Sequence, residues 1–144
     1  ISPALNCVGF YGTYTYTHSR VEDFNFEGRE NEKDLSMPGS PEHTANASLY
    51  FEKGGLNLRL SYNFASDIID EMGESTFYDR YYDKLNYMDV NASYTIGKKF
   101  KTTFYAEANN LLNQPLRYYQ GTKDRTMQAE YYGVKVNAGV KINF

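Results

Sequence analysis

The fold is decided by the last seventeen residues, Gln128 to Phe144, which read QAEYYGVKVNAGVKINF. Apolar or aromatic side chains alternate there with small, polar or charged ones. One set is Tyr132, Val134, Val136, Ala138, Val140, Ile142 and Phe144, and the other is Gly133, Lys135, Asn137, Gly139, Lys141 and Asn143. Because successive side chains of a strand point to opposite faces, the alternation predicts one long strand with an apolar and a polar face. Its length exceeds the roughly 5–6 residues usual in soluble sheets and suits a membrane-crossing strand of about 9–11 residues.

The same alternation recurs in five earlier segments, which predict five further strands. Their apolar sets are Val8, Phe10, Tyr14 and Tyr16; Ala45, Ala47, Leu49 and Phe51; Leu56, Leu58, Leu60, Tyr62 and Phe64; Met88, Val90, Ala92, Tyr94 and Ile96; and Phe100, Thr102, Phe104, Ala106 and Ala108. The positions between them are mostly polar or charged. The expected fold class is therefore all-β, an antiparallel meander of about six long strands.

The connections between these strands alternate in length. Lys53-Gly54-Gly55 and Gly97-Lys98-Lys99 predict tight hairpin turns, whereas segments 21–40, 66–84 and 111–127 are long. Short periplasmic turns and long extracellular loops are typical of transmembrane barrels. Six strands fall short of the roughly eight that the smallest such barrels need, so we expect a portion of a larger barrel. A soluble β-sheet binding or adhesin-like module, and a small autonomous outer-membrane barrel with further strands, are the alternatives.

Composition sets limits on the class of protein. The 144 residues contain no apolar run of about 18, so a transmembrane helix is not expected. The mean hydropathy of -0.66 is low, but it still allows barrel strands, because these are apolar only at every second position. The formal net charge of -3 leaves no basic footprint for nucleic acid. The single Cys7 has no disulfide partner in the chain. Since the chain begins at Ile1, we expect a fragment or a processed segment.

Several stretches together resemble the C-terminal barrel repeats of TonB-dependent outer-membrane receptors, in particular those of Bacteroidetes-like bacteria. These stretches are Met37-Pro38-Gly39-Ser40-Pro41-Glu42-His43-Thr44-Ala45-Asn46, Leu58-Arg59-Leu60-Ser61-Tyr62-Asn63-Phe64, Leu85-Asn86-Tyr87-Met88-Asp89-Val90-Asn91-Ala92-Ser93-Tyr94 and Ala106-Glu107-Ala108-Asn109-Asn110-Leu111-Leu112-Asn113-Gln114-Pro115. Within the last of them, Asn109, Asn110, Leu111 and Asn113 resemble the family's NNLxN pattern. The terminal Phe144 resembles the signal that barrel-assembly machinery reads.

The resemblance implies a nutrient importer in the bacterial outer membrane. Such a receptor binds a siderophore, haem, cobalamin or an oligosaccharide outside the cell and imports it through a barrel of about 22 strands with energy from TonB. Residues 1–144 would be the C-terminal barrel segment, with the plug, the TonB box and the earlier strands elsewhere. The implied partners are outer-membrane lipid, the barrel-assembly machinery through the C-terminal strand, and TonB through the plug. No cofactor is implied.

Aromatic and basic residues in the long connections are candidates for contacts with an extracellular ligand. They are Tyr78, Tyr81, Tyr82, Arg117, Tyr118 and Tyr119. An interfacial girdle of aromatic residues is the simpler explanation of the tyrosines. Carboxylates also crowd two connections, at Glu22, Asp23, Glu27, Glu30, Glu32 and Asp34 and at Asp67, Asp70, Glu71, Glu74, Asp79 and Asp83. Neither set has calcium-loop spacing, so solvated loops are expected.

Catalysis has little support in the sequence. His18 and His43 fall near the extracellular ends of neighbouring predicted strands, but two histidines without a third ligand at recognisable spacing make a poor metal site. The chain has no nucleophile elbow, P-loop or dinucleotide-binding glycine motif. We expect no enzyme, no catalytic residue and no metal site.

Overall fold

A computed structural model describes residues 6–21, 28–30, 32 and 35–144. The described chain is all-β, with ten strands in chain order. They are β1 (Val8–Tyr16), β2 (His43–Lys53), β3 (Leu56–Ala65), β4 (Ile68–Glu71), β5 (Arg80–Tyr82), β6 (Leu85–Ile96), β7 (Lys101–Asn109), β8 (Leu116–Gln120), β9 (Thr126–Glu130) and β10 (Lys135–Asn143). None of the described segments is a helix of the length and apolarity that a membrane span requires. Glu22, Asp23, Glu27 and Asp34 lie outside the described residues.

Six strands form one antiparallel sheet, in the order β1-β2-β3-β6-β7-β10. Every strand pairs with the next long strand along the chain, which confirms the predicted meander of six strands. The sheet is open, with β1 and β10 at its edges. Gly54 and Gly55, with φ of 57° and 86°, form the tight turn between β2 and β3, as the sequence predicted.

The register of this sheet keeps the two predicted faces apart across its full width. One row of direct neighbours is Val8, Phe51, Leu58, Ala92, Ala106 and Ala138, and the next row is Gly9, Tyr50, Arg59, Asn91, Glu107 and Asn137. Since each row continues on one face, the sheet has an apolar side and a polar side. The apolar side is uncovered: Val136 is 70% exposed.

A second, four-stranded sheet forms from the long connections, in the order β4-β5-β8-β9. Its strands pair antiparallel, with register shifts at Ile69/Glu71 and Tyr118/Tyr119. Among the described residues, the only buried hydrophobic side chains are Ile69 and Tyr119, and both belong to this small sheet. The connections 66–84 and 111–127 are therefore partly strand, where the sequence predicted loop.

The prediction of one continuous strand over Gln128–Phe144 is wrong. The segment forms the end of β9 and all of β10, which belong to different sheets and are separated by residues 131–134. Gly133 has φ of 75°, a left-handed conformation that interrupts an extended strand and favours glycine. The side chains before Gly133 therefore do not continue the two faces of β10, and Tyr132 does not lie on its apolar face.

Candidate ligand-binding surface

One face of the small sheet is an internal core. The rings of Tyr81 and Tyr119 stack with centroids 5.0 Å apart, on residues directly opposite each other in β5 and β8. The Tyr119 side chain is only 3% exposed, and its hydroxyl donates a hydrogen bond to the Asp67 carboxylate. Burial and this carboxylate raise the pKa of Tyr119 far above its usual value. The stack therefore packs the small sheet against its own connections.

The opposite face of the small sheet is open. Tyr82 and Tyr118 lie side by side on it, with ring centroids 5.0 Å apart, and the Arg80 guanidinium carbon lies 5.6 Å from the Tyr118 centroid. A cavity of about 500 Å³, here called the upper cavity, lies on this face. Its lining is Arg80, Leu116, Tyr118, Met127, Gln128, Glu130 and Tyr132. This volume is in the range of about 300–1,000 Å³ typical of small-molecule sites.

A second cavity, here called the lower cavity, lies at the end of the large sheet, next to the connection from β9 to β10. It has a volume of about 310 Å³ and is lined by Tyr87, Asp89, Asn109, Asn110, Gln114, Tyr132, Gly133 and Lys135. Asp89, Asn109 and Lys135 are neighbours on the polar side of the large sheet. Tyr132 lines both cavities.

The NNLxN element forms the turn that ends β7. Asn110 has φ of 59° and Asn113 has φ of 50°, and Asn113 N–H donates to the Asn110 carbonyl over 2.9 Å. The Asn110 side chain accepts a bond from the Gln114 N–H over 2.8 Å and donates to the carbonyls of Gln114 and Gly133 over 3.1 and 3.4 Å. Leu111 N–H donates to Met88 O over 2.8 Å. The element thus connects β6, β7 and the segment before β10.

The other sequence candidates are dispersed. Tyr78 is exposed beside Phe77, at a ring separation of 5.3 Å, in the connection between β4 and β5. The Arg117 guanidinium is half-buried and donates to the Asp83 carboxylate over 2.7 Å and to the Thr126 hydroxyl. Phe144 follows β10, is exposed, and has its ring centroid 6.3 Å from that of Phe100.

The acidic connection before β5 is held by basic side chains. Asp79 is fully buried and forms a bidentate ion pair with buried Arg29, so the expectation of a solvated loop is wrong for this residue. Asp67, Asp70 and Asp83 pair with Lys123, Arg80 and Arg117. Within the part of the chain that the structure describes, no group of three potential metal ligands is close enough to hold an ion.

The two histidines lie around one tyrosine ring at the ends of β1 and β2. The Tyr16 ring stacks on His18 at 6.4 Å and meets His43 at 5.2 Å. His43 Nδ1 is 2.8 Å from the Tyr14 hydroxyl, and the Arg20 Nε–H donates to His18 Nε2 over 3.0 Å.

The sequence missed most of the upper cavity. Tyr82, Tyr118 and Tyr132 stand out in the sequence as aromatic residues near the extracellular ends of strands, but Arg80, Gln128 and Glu130 do not stand out as parts of the same surface. The small sheet brings these residues together from strands far apart in the chain, and no local pattern marks that pairing. The adjacent Arg80-Tyr81-Tyr82 was the available signal, because a strand places its first and third side chains on one face.

Comparison with known proteins assigns the family. The family model described as TonB dependent receptor-like, beta-barrel matches residues 5–111. No curated protein and no solved structure matches the chain. The family consists of outer-membrane receptors and transporters and is not an enzyme family. With the match covering well over half of the chain, and with the open antiparallel sheet of one apolar and one polar face, this protein belongs to the TonB-dependent receptor-like β-barrel family.

Proposed function

We propose that residues 1–144 are the C-terminal barrel segment of an outer-membrane receptor that binds a scarce nutrient outside the cell and imports it with energy from TonB. The observation that carries the proposal is the register of the large sheet. It holds an apolar row and a polar row in phase over six strands, with both cavities at one end. A transmembrane barrel needs that division between lipid and lumen.

The uncovered apolar side supports a lipid environment. Phe10, Leu49, Leu60 and Val136 lie in one cross-strand row of that side and are all exposed. A soluble sheet would bury such a row against a second layer, because apolar surface is driven out of water. The small sheet does not serve as that layer, since its strands make no close contact with the large sheet's strands. The soluble module is therefore the weaker proposal.

The open edges support a larger barrel. Unpaired backbone groups are costly in the hydrocarbon region, so β1 and β10 need partner strands there. We propose that the remaining strands of the receptor pair with both edges. The exposed Phe144 at the end of β10 would serve recognition by the barrel-assembly machinery.

The cavities support ligand contact on the extracellular side. Both lie at the end of the sheet where the long connections emerge, opposite the tight turns at Gly54 and Gly97. We propose that Tyr82 and Tyr118 contact the nutrient, which belongs to one of four classes: siderophore, haem, cobalamin or oligosaccharide.

The test is nutrient uptake by a strain lacking the complete gene and by the same strain with the gene restored. Each nutrient class is supplied in turn as the sole source, with and without functional TonB. The proposal expects uptake of one class that requires both the gene and TonB. Uptake independent of TonB would point to a passive barrel, and recovery of the protein from the soluble fraction would point to a soluble module; either result overturns the proposal.

A further inference from the structure

The upper and lower cavities meet at one side chain. Of all their lining residues only Tyr132 is common to both. Its side chain is 61% exposed, so its ring is accessible from the two cavities. A ligand that occupied both would have to pass over this ring.

The backbone around Tyr132 sets the ring at this position. Gly133 takes its left-handed φ of 75° immediately after Tyr132, where no heavy atom lies within 4 Å of the place of a Cβ. The Asn110 amide donates to the Gly133 carbonyl over 3.4 Å. On the other side, the Tyr132 hydroxyl donates to the Glu130 carboxylate. That bond keeps the pKa of Glu130 below its usual value, so Glu130 stays ionised at neutral pH.

The charges that line the two cavities cancel. The upper cavity has Arg80 and Glu130, and the lower cavity has Lys135 and Asp89. Arg80 also forms ion pairs with Asp70 and Glu71 at 2.5 and 2.8 Å, so its positive charge is not available to an anionic ligand. A site for a multiply charged ligand would be lined by an excess of side chains of the opposite charge. Other polar groups in the lining are amides, including those of Gln128 and Gln114. Their N–H groups donate within the protein, to the Glu130 carboxylate and to the carbonyls of Lys84 and Pro115, and their oxygens can accept hydrogen bonds from hydroxyl groups.

Aromatic rings accompany these amides in each cavity. Tyr118 lines the upper cavity, Tyr87 lines the lower cavity, and Tyr132 lies between. Aromatic faces supply rigid apolar contact, and the amides and carboxylates around them pair with hydroxyl groups. Such a lining suits a chain of uncharged, polyhydroxylated rings.

We propose that Tyr132 joins the two cavities into one elongated site for an uncharged oligosaccharide, with sugar units on both sides of its ring. The inference rests on the proposed function and names its ligand class. It also assigns Asn110 as a positioning residue, because the Asn110 amide holds the Gly133 carbonyl next to Tyr132.

The first experiment measures binding by the complete receptor, purified in detergent. The probes are an array of linear neutral oligosaccharides of two to eight units, with haem and ferric citrate as anionic probes. We expect a neutral oligosaccharide to bind, with affinity that rises with chain length. Tyr132→Ala should weaken binding of the long chains by about tenfold to a hundredfold, as expected for a central aromatic contact. Tyr132→Phe keeps the ring and should stay within a few-fold of the unmodified receptor.

The matched control is Tyr131→Ala. Tyr131 is a neighbouring tyrosine of similar exposure, 68%, that lines neither of these cavities, so its loss should leave oligosaccharide affinity unchanged. Should Tyr132→Ala fail to assemble, Gln128→Ala in the upper cavity and Lys135→Gln in the lower cavity replace it. Each should reduce the gain in affinity that longer chains bring.

Three results would overturn the inference: preference for the anionic probes, no binding of any neutral oligosaccharide, or equal effects of Tyr131→Ala and Tyr132→Ala. The uptake experiment separates this failure from failure of the proposed function. TonB-dependent uptake of a charged nutrient would refute the oligosaccharide site and leave the importer intact. Absence of any receptor-dependent uptake would remove both.

Discussion

The large and small sheets are stabilised in different ways. The large sheet joins six long strands through backbone ladders and leaves its apolar side open, whereas the small sheet uses short strands and contains the two buried hydrophobic side chains of the described residues. One sheet thus depends on its surroundings for burial of its apolar surface. The other carries its own core.

The two sheets also differ in how their charged and polar side chains are paired. Around the small sheet, the Arg29 guanidinium and the Asp79 carboxylate are both buried and meet through two hydrogen bonds, and Arg29 also donates to the Gly73 carbonyl over 3.0 Å. On the large sheet, the polar side chains lie on the side opposite to the apolar one and pair with one another, for example Asn137, whose amide donates to the Glu107 carboxylate over 2.9 Å. Changes in the small sheet should therefore act through buried partners, and changes in the large sheet through lipid contact.

The largest effect is expected from Asp79→Ala. Removing one partner of a buried ion pair costs about 3–5 kcal/mol, and the remaining bonds of Arg29 to the Glu32 carboxylate, at 2.6 and 3.0 Å, compensate part of its charge. Hydrogen exchange of the complete receptor should show faster opening around residues 73–79, while the amides of β6 and β7 remain protected. The matched control is Asp70→Ala, which breaks the exposed pair with Arg80 and should cost at most about 1 kcal/mol. Equal exchange in the two variants would show that the buried pair of Arg29 and Asp79 stabilises the protein no more than the exposed pair of Arg80 and Asp70.

Val136→Arg should have the next largest effect, on the large sheet only. An arginine on the lipid side costs about 2–4 kcal/mol at the bilayer midplane, so we expect less receptor in the outer-membrane fraction. The control is Asn137→Arg, one residue further along β10 and on the polar side. Normal assembly of the Val136 variant, or equal loss in both variants, would show that the two faces are not lipid and lumen.

The sequence predicted the large sheet because its information is local. Alternation over β3 or β6 can be recognised within ten residues, and glycine-containing turns mark the hairpins. The small sheet has no such signal. Its β5 is three residues long and pairs with β8, almost forty residues later. The ion pair of Arg29 and Asp79 spans fifty positions. In the sequence Asp79 is one of many carboxylates in its connection, and nothing singles out Arg29 as its partner.

The candidate site could be predicted only in part for the same reason. Tyr82 and Tyr118 stood out by residue type, but so did Tyr81 and Tyr119, which pack in the core on the opposite face. Which tyrosine is internal depends on the pairing of β5 with β8. The position of Tyr132 depends on the left-handed φ of Gly133. The sequence does not reveal that conformation, because apolar and polar residues alternate through Gly133 without a break.

Tyr119→Phe should weaken the small sheet by an intermediate amount. It removes the hydrogen bond to Asp67, and bonds to a charged group contribute about 1.5–3 kcal/mol. Tyr81→Phe, which keeps the stacked ring and leaves the Asp67 bond intact, is the control. Hydrogen exchange of β8 amides in the receptor should distinguish them. Similar protection in both variants would mean that the Asp67 bond does not stabilise the sheet.

The same pair of groups predicts a pH dependence of the small sheet. Burial raises the pKa of Asp67, but its bonds with Tyr119 and Lys123 lower it more, to a value below the usual 3.8. A carboxyl whose folded pKa is depressed stabilises the fold above the unfolded value, and that contribution is lost as pH falls through the folded value. β8 protection should therefore decline below about pH 4. The decline should be smaller in Tyr119→Phe, because the folded and unfolded pKa values of Asp67 then lie closer together. An identical pH profile in the two proteins would exclude Asp67 as the titrating group.

The smallest effect is expected at the turn that joins the two sheets, where Asn110→Gly and Asn113→Gly form a matched pair. Both asparagines have left-handed φ, so glycine relieves a similar strain and adds a similar flexibility to the unfolded chain. Asn113→Gly should stay within about 0.5 kcal/mol of the unmodified protein. Asn110→Gly also loses the amide bonds to Gln114 and Gly133, and should cost about 1–2 kcal/mol. Hydrogen exchange of residues 130–135 measures the difference, because the Asn110 amide binds the Gly133 carbonyl and the Asn113 side chain does not. Equal exchange in both variants would show that the backbone conformation, rather than the Asn110 side chain, holds the segment before β10 next to the turn after β7.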